Sequence, residues 1–179
     1  MADPAPPPAP AVPPELRLPT PQATRAFGER LAALLRPGDL LVLAGPLGAG
    51  KTALAQGIGA GLAVPGRVVS PTFVIARVHR GGRIPLVHVD AYRLGSLAEV
   101  DDLDLDVDLA DSVTVVEWGS GLVEQLAEAR LRIEIERLPD SDERRARLVA
   151  EGGDWADRLA GLDVSDRPGQ RPGADPVTH

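Results

Sequence analysis

The octapeptide Gly45–Thr52, GPLGAGKT, carries the most specific chemistry in this sequence. The pattern G-x-x-x-x-G-K-T forms a loop whose backbone N–H groups turn inward around the phosphates of a nucleotide. Lys51 is the only lysine in the chain, and the other basic side chains, histidines aside, are arginines. A compact ammonium fits inside a tight phosphate loop where a planar guanidinium is too wide. The octapeptide therefore predicts nucleotide binding, with Lys51 on the β- and γ-phosphates and the Thr52 hydroxyl on Mg²⁺.

The segments on either side of the octapeptide agree with this prediction. Leu40 to Ala44 is a continuous apolar run typical of a buried strand, and Thr52 to Leu62 is a glycine- and alanine-rich segment that we expect to be helical. Strand, glycine loop and helix in this order are the context in which a phosphate-binding loop, or P-loop, occurs. The alternative is a glycine-rich turn without a ligand, which this context disfavours.

A P-loop protein also needs an acidic residue at the end of a buried strand to hold magnesium and its water shell. Two residues qualify: Asp90 ends the apolar run LVHVD, and Glu117 ends the run VTVVE. Carboxylate oxygens suit Mg²⁺, and histidines do not. The residues alone do not decide which carboxylate holds metal and which acts as catalytic base. The alternative for each is a carboxylate that caps the next turn.

Several weaker signals surround these residues. The segment Ser70–Phe73 lies between two predicted strands and either forms a switch-like loop, with a Thr72 hydroxyl facing the γ-phosphate, or is a plain turn. Trp118 packs either in the core or beside the nucleotide. Arg144 and Arg145 either reach a base or phosphate or are simply solvated. His88 is interpreted as a satisfied strand residue, because the three histidines lack metal-ligand spacing.

The aspartate-rich run from Asp101 to Asp111 lacks the glycine and glutamate of an EF-hand. It is interpreted as a solvated acidic face or a partner surface.

The pattern of the rest of the chain predicts one α/β domain at 18–162, between a Pro/Ala-rich disordered tail at 1–17 and a second disordered tail at 163–179. Thr20-Pro21 is typical of a helix start, and Arg36-Pro37-Gly38 of its end. The further predicted elements are a hairpin of strands 73–78 and 84–90, a short helix from Ser96, strand 112–117, helix 122–129, an edge or half-exposed strand 131–136, a strand around 147–150 and helix 154–160.

Composition excludes several classes of protein. The chain of 179 residues is 44% hydrophobic, has no cysteine and carries a net charge of −7. Disulfides and thiolate metal sites are therefore excluded, and broad nucleic-acid binding by this chain alone is disfavoured. No apolar run approaches the roughly 18 to 20 residues of a membrane span, and residues 1–14 lack the features of a secretory signal. We expect a cytoplasmic protein.

The absence of asparagine narrows the class of nucleotide-binding protein. Guanine-specific GTPases recognise their base with an N-K-x-D motif, which a chain without asparagine and with one committed lysine cannot form. A small-molecule kinase remains the main alternative, although no segment offers an obvious arginine-rich lid. A nucleotide-sensing scaffold without significant turnover is the third hypothesis.

Four motifs in order, GPLGAGKTAL, VVSPTFVI, VHVDAYRLGS and VVEWG, resemble those of the TsaE (YjeE) family, and the similarity runs from about Pro19 to Ala150. That family is the bacterial ATPase of tRNA threonylcarbamoyladenosine biosynthesis. The resemblance implies a P-loop NTPase-like three-layer domain with a mixed, mostly parallel sheet flanked by helices. It also implies weak hydrolysis of ATP with Mg²⁺, in support of a TsaD–TsaB complex that transfers a threonylcarbamoyl group to an adenosine beside the anticodon of tRNA. This chain would then meet tRNA only through the complex.

The resemblance also implies roles for particular residues. Thr52 and Glu117 match the magnesium partners, Asp90 matches a catalytic or water-positioning aspartate, and Trp118 matches a tryptophan near the nucleotide. Two positions depart from the common pattern: Pro46 replaces an aspartate, and Ser120 replaces a charged residue. The predicted catalytic residues are Lys51, Asp90 and Glu117. The predicted nucleotide-binding residues are Pro21, near the adenine, and Gly45, Gly48, Ala49, Gly50, Lys51, Thr52, Ala53, Thr72, Trp118 and Arg145.

Overall fold

The computed structural model describes residues 15–71, 75–93, 109–118 and 127–162. These residues form one seven-stranded sheet in the order β1-β7-β6-β2-β5-β4-β3. The strands are β1 (Glu15–Leu18), β2 (Leu40–Ala44), β3 (Ala76–His79), β4 (Leu86–Asp90), β5 (Val113–Glu117), β6 (Arg130–Arg137) and β7 (Arg144–Glu151). The α-helices are α1 (Pro21–Ala32), α2 (Lys51–Gly61) and α3 (Trp155–Ala160), and single 3-10 turns span Ala91–Arg93 and Leu109–Asp111.

The sheet is mixed, so the α/β prediction is confirmed. Strands β6, β2, β5 and β4 pair in parallel, whereas β1, β7 and β3 join the sheet through antiparallel pairings. Three of the six strand pairs are parallel, and the four strands β6, β2, β5 and β4 form one parallel block, so the sheet is mixed, as predicted. Parallel β2, β4 and β5 end at the same edge of the sheet, which is where the P-loop and both candidate carboxylates lie.

The hydrophobic core lies mainly between one face of the sheet and the helices. The larger cluster joins α1, α2 and α3 to that face, and it includes Phe27, Leu31, Ile58 and Trp155. A smaller cluster on the opposite face, around Val42 and Val87, is covered in part by Leu109 and Ala127. Within the described ranges, all three α-helices pack on one face. The helix predicted from Ser96, and residues 122–126 of the helix predicted at 122–129, fall outside the described residues.

The local prediction of α1 is confirmed at its start. The N–H of Ala23 donates to Thr20 Oγ1 at 3.1 Å, and Pro21 occupies the first helical turn, so Thr20 is the N-cap. The helix ends at Ala32, a few residues before the predicted stop. Glycines allow α1 and α2 to approach closely, because a Cβ on Gly57 would lie 2.1 Å from the Arg25 carbonyl oxygen.

Two strand predictions are corrected and a third is decided between its alternatives. Residues 15–17, assigned to the N-terminal tail, belong to β1, which pairs with β7 and buries Leu16 and Leu18. The strand predicted at 131–136 as an edge or half-exposed strand is half-exposed and lies between β2 and β7. Strand β7 begins at Arg144, earlier than the predicted start around 147.

Among the helices, residues 127–129 are not helical. No helix in the described part of the chain is long and apolar enough to cross a membrane.

Candidate functional site

The loop after β2 has the backbone of a phosphate cradle. Gly45, Gly48 and Gly50 have φ values of 149°, 79° and 109°, and α2 begins at the next residue, Lys51. Positive φ is the region that glycine enters without steric cost. The N–H of Ala49 donates to the Pro46 carbonyl at 3.1 Å and closes the turn. The loop thus delivers backbone N–H groups and the N-terminus of α2 to one place, which suits an anion.

Gly45 is the tightest position in the loop, and it gives a direct stability prediction. A Cβ built there would lie 2.1 Å from the Ile135 carbonyl oxygen on β6. We expect Gly45→Ala to lower the free energy of unfolding by about 3 kcal/mol, since it combines backbone overlap with an unfavourable φ. Urea unfolding without nucleotide measures the change. Gly48→Ala is the matched control, because a Cβ built there has no atom within 4 Å outside Gly48 and its two chain neighbours, and it should cost about 1 kcal/mol. Equal losses for the two variants would contradict the steric argument.

Lys51 is buried and folded back onto its own loop. Its Nζ donates to the carbonyl oxygens of Gly45 at 2.7 Å and Pro46 at 2.9 Å, and it lies 3.9 Å from the ring centroid of Trp118. Burial lowers the pKa of Lys51 below its usual 10.5, although the negative charges of Glu117 and Asp90 act in the opposite direction. A phosphate would replace the carbonyl contacts with a full negative charge and would raise this pKa again.

The two candidate carboxylates are neighbours at the carboxyl edge of the sheet. Asp90 and Glu117 occupy paired positions at the ends of parallel strands β4 and β5. Glu117 is only 4% exposed, and its Oε1 accepts from the Thr52 hydroxyl at 3.5 Å. Asp90 is half-buried, and its Oδ1 accepts from the N–H of Tyr92 at 3.0 Å. The hydroxyl and both carboxylates therefore face the start of α2 together.

The donor set fits a magnesium ion that phosphates help to hold. Mg²⁺ prefers oxygen ligands, keeps several waters and binds through one or two carboxylates plus phosphate oxygens. Thr52 and Glu117 offer one hydroxyl and one carboxylate beside the loop. The part of the chain that the structure describes contains no group of three or more His, Cys, Asp or Glu side chains that could hold a metal by themselves.

Trp118 lies at the cleft and does not fill the core. Its φ of 63° is a strained value for a non-glycine residue, and its N–H donates to the Leu43 carbonyl at 3.3 Å. The ring contacts Tyr92 edge to face, with centroids 5.8 Å apart, and also covers the Lys51 ammonium. The positive φ turns the Trp118 side chain towards the loop. The other tryptophan, Trp155, is buried in the core instead.

These residues enclose a cleft of about 390 Å³. Seven of the predicted site residues line it: Gly48, Gly50, Lys51, Thr52, Asp90, Glu117 and Trp118. Leu47 and Ser70 complete the lining. A larger cavity of about 540 Å³ is lined by Gly45 and Pro46 of the loop together with residues of β1, β6 and β7, and it contains neither the lysine nor the two strand-end carboxylates. The smaller cleft is therefore the one that contains the lysine, the hydroxyl and the two carboxylates.

Comparison with known proteins agrees with the motifs. The model of the family described as "Threonylcarbamoyl adenosine biosynthesis protein TsaE" matches residues 18–146. The chain belongs to the TsaE family. The tRNA threonylcarbamoyladenosine biosynthesis protein TsaE of Streptomyces coelicolor is 58% identical over 144 residues, which cover 79% of this chain and 97% of the relative.

More distant TsaE proteins and a solved structure give the same result. The Bacillus subtilis protein of the same name is 42% identical over 133 residues, covering 74% of this chain and 82% of the relative. The crystal structure of Bacillus subtilis YdiB matches with a TM-score of 0.69 and 35% identity, over 83% of this chain and 92% of that one. Both the TsaE resemblance and the α/β fold are thus confirmed.

Within this TsaE-family fold, the two adjacent arginines of β7 lie in different places. Arg145 lies 3.0 Å from Glu15 and 3.4 Å from Glu136, and it lines the larger cavity outside the phosphate cleft. Arg144 is 9% exposed, and its Nε lies 3.5 Å from a Cβ built on Gly50, so it flanks the P-loop directly. Arg144 therefore lies beside Gly50 at the end of the loop, and Arg145 lies beside its first residues.

The remaining predicted binding residues lie in the loop, at the starts of two helices, and outside the described residues. Ala49 is buried within the loop turn, and Ala53 is half-buried in the first turn of α2. Pro21 begins α1, three residues after Leu18, which pairs with Arg144. Thr72 lies outside the described residues.

Sequence reasoning missed one buried contact at the site. His88 is fully buried, and its Nε2 lies 2.8 Å from Glu117 Oε1. The signal was present, since His88 is a polar residue in the otherwise apolar stretch LVHV, two positions before Asp90. Its partner could not be identified without the register of β4 against β5.

Proposed function

We propose that this protein is a magnesium-dependent ATPase of low intrinsic activity. Membership of the TsaE family assigns it to biosynthesis of tRNA threonylcarbamoyladenosine. One observation carries the ATPase proposal: Lys51, Thr52 and Glu117 meet at a glycine loop, beside a second carboxylate, Asp90. A cation, a hydroxyl and two carboxylates at a phosphate cradle are the groups that phosphoryl transfer to water requires.

The nucleotide would bind with its β- and γ-phosphates in the loop. The Lys51 ammonium would exchange its contacts with the Gly45 and Pro46 carbonyls for phosphate oxygens, a charge-assisted interaction stronger than the one it replaces. Ala49, Gly50 and the first turn of α2 would supply backbone N–H groups. We place the adenosine towards the start of α1 and the start of β7, where Pro21 and Arg144 are the nearest candidates.

Thr52 and Glu117 would hold Mg²⁺, which neutralises charge on the phosphates when bound. Asp90 is half-buried at the open side of the same edge, and its second oxygen is available to orient the attacking water. In this assignment Glu117 is the metal partner, because it alone of the two carboxylates bonds the P-loop hydroxyl. Trp118 would cover the lysine and limit the access of other water.

The proposed partners are TsaD and TsaB, with tRNA reached through their complex. The net charge of −7 disfavours independent binding to the phosphate backbone of RNA. Two large apolar side chains close to the cleft are unusually exposed, Leu47 at 92% and Tyr92 at 77%. Exposed aromatic and aliphatic side chains beside a reactive site are typical of a protein-binding surface. We propose a cytoplasmic protein.

Phosphate release from ATP, alone and with a purified TsaD–TsaB pair, tests this function. We expect slow release by the chain alone, a faster rate with the pair, and no release by Lys51→Ala under either condition. Labelled γ-phosphate should pass to water only. Transfer to another acceptor would support a kinase, and nucleotide binding with no turnover beside the partners would support a sensing scaffold. Either result would overturn the proposal.

A further inference from the structure

We infer that His88 is the residue that positions Glu117 in the magnesium site. The inference rests on the proposed function, since it concerns the same carboxylate. Two observations carry it: the short contact between His88 Nε2 and Glu117 Oε1, at 2.8 Å, and the complete burial of the imidazole. His88 does not itself line the cleft, and its contact with the lining is through Glu117, so it acts through that carboxylate.

Strand register explains why this pair can form. In the parallel pairing of β4 with β5, His88 lies opposite Val115 and Asp90 lies opposite Glu117. Side chains two residues apart on one strand point to the same face of the sheet. His88 and Glu117 are therefore diagonal neighbours on the face that α2 covers, and the imidazole is long enough to span the diagonal.

The hydrogen-bonding pattern fixes the direction of the contact. An ionised glutamate only accepts hydrogen bonds, so Nε2 carries the proton and donates to Oε1. His88 Nδ1 is buried and has no hydrogen-bond partner among the described residues. A proton there would be a buried donor without an acceptor, which is costly. The tautomer with hydrogen on Nε2 is therefore the one that the contacts of the ring favour.

The two donors to Glu117 differ in strength. The Thr52 hydroxyl approaches the same Oε1 at 3.5 Å, a long contact, whereas His88 approaches at 2.8 Å. If the Thr52 oxygen turned to a metal ion, its long hydrogen bond to Glu117 would be lost. The hydrogen bond from His88 would still hold the carboxylate in place. Hydrogen bonds from such outer partners fix the orientation of metal-binding side chains, and their loss commonly lowers metal affinity about 10- to 100-fold.

Binding of Mn²⁺, a paramagnetic substitute for Mg²⁺, to the complex of the full-length protein with ADP tests the inference without turnover. By electron paramagnetic resonance, we expect His88→Leu to lower Mn²⁺ affinity about tenfold or more. His88→Gln keeps an N–H donor near the position of Nε2 and should retain most of the affinity. ADP affinity in EDTA should be unchanged in both variants. His79→Leu, the same substitution on β3 away from the cleft, is the matched control and should bind Mn²⁺ like the wild type.

Each contrary result has a distinct meaning. Wild-type Mn²⁺ affinity in a folded His88→Leu variant, or an equal loss of ADP affinity in EDTA, would overturn the positioning role and leave the ATPase proposal intact. Absence of ADP-dependent Mn²⁺ binding in the wild type would overturn the magnesium site itself and the inference with it. If His88→Leu does not fold, His88→Gln and His88→Asn decide the matter. The asparagine amide is too short to reach Glu117, so equal affinities for these two variants would contradict the inference.

Discussion

Lys51→Ala is expected to weaken binding of ATP and ADP by about 2 to 5 kcal/mol, or roughly 30- to 5,000-fold. The ammonium is the cation closest to the phosphate cradle, and it is almost fully buried, so its contact with phosphate is poorly screened. Neither the loop amides nor the dipole of α2 replaces a full positive charge at this position. Isothermal titration calorimetry with ADP measures the change directly.

Lys51 also makes two kinds of contact in the nucleotide-free protein, and their loss must be distinguished from the loss of phosphate binding. Lys51 bonds two loop carbonyls and covers the Trp118 ring, so its loss also loosens the empty loop. Lys51→Met keeps most of the side-chain volume without the charge, and the unfolding of both variants without nucleotide reports the structural part. Arg67→Ala removes an exposed charge outside the cleft and controls for the change in net charge. Wild-type affinity in both lysine variants would rule out the phosphate-binding role.

The residues that the sequence selected and the structure brings to one cleft belong to motifs that are contiguous in the chain. Gly45–Thr52 is complete as a local pattern, and its flanking strand and helix have strong apolar signals of their own. Asp90 and Glu117 could be selected because each ends an apolar run, and strand ends on one side of a parallel arrangement converge. These inferences need only the order of elements along the chain.

The features that the sequence could not place depend on strand register or on the face of a strand. Arg144 and Arg145 are adjacent, so they point to opposite faces of β7, and the starting residue of the strand was set too late to decide which one lies beside Gly50. The contact of His88 with Glu117 crosses between strands and has no local signature.

Strands β1 and β6 show the limits of pattern length and periodicity. Strand β1 has an alternating pattern over only four residues, directly after a proline-rich stretch whose composition dominates the segment. The alternation in β6 correctly indicates one exposed face. The alternation does not show whether the strand is hydrogen-bonded to a neighbour on both sides, because backbone hydrogen bonding and face exposure are independent. An internal strand with one polar face therefore has the sequence pattern of an edge strand.

Glu117→Ala and Asp90→Ala are expected to reduce the rate of ATP hydrolysis far more than nucleotide affinity. Both carboxylates lie at the strand ends, while Lys51 and the loop amides, which carry most of the phosphate binding, stay in place. Loss of a group that orients or deprotonates the attacking water, as proposed for Asp90, costs about 10²- to 10⁴-fold in rate. Loss of Glu117 would weaken the hold on the Mg²⁺ that phosphoryl transfer requires. Single-turnover phosphate release and ADP titration separate the two quantities. Variants that hydrolyse ATP at the wild-type rate would refute the assignment.

Amide substitutions at Glu117 and Asp90 distinguish the residue that holds the metal from the residue that acts on water. In the amide variants Glu117→Gln and Asp90→Asn, the remaining oxygen still accepts the hydrogen bond from Thr52 or from the N–H of Tyr92, so local structure is conserved. If Glu117 holds magnesium, the lost rate of its variant should recover in part as Mg²⁺ is raised, because weakened binding is offset by mass action. The Asp90→Asn rate should not recover, since a missing base or water acceptor is not restored by more metal. If added Mg²⁺ restored the hydrolysis rate of Asp90→Asn but not that of Glu117→Gln, the two roles would be reversed.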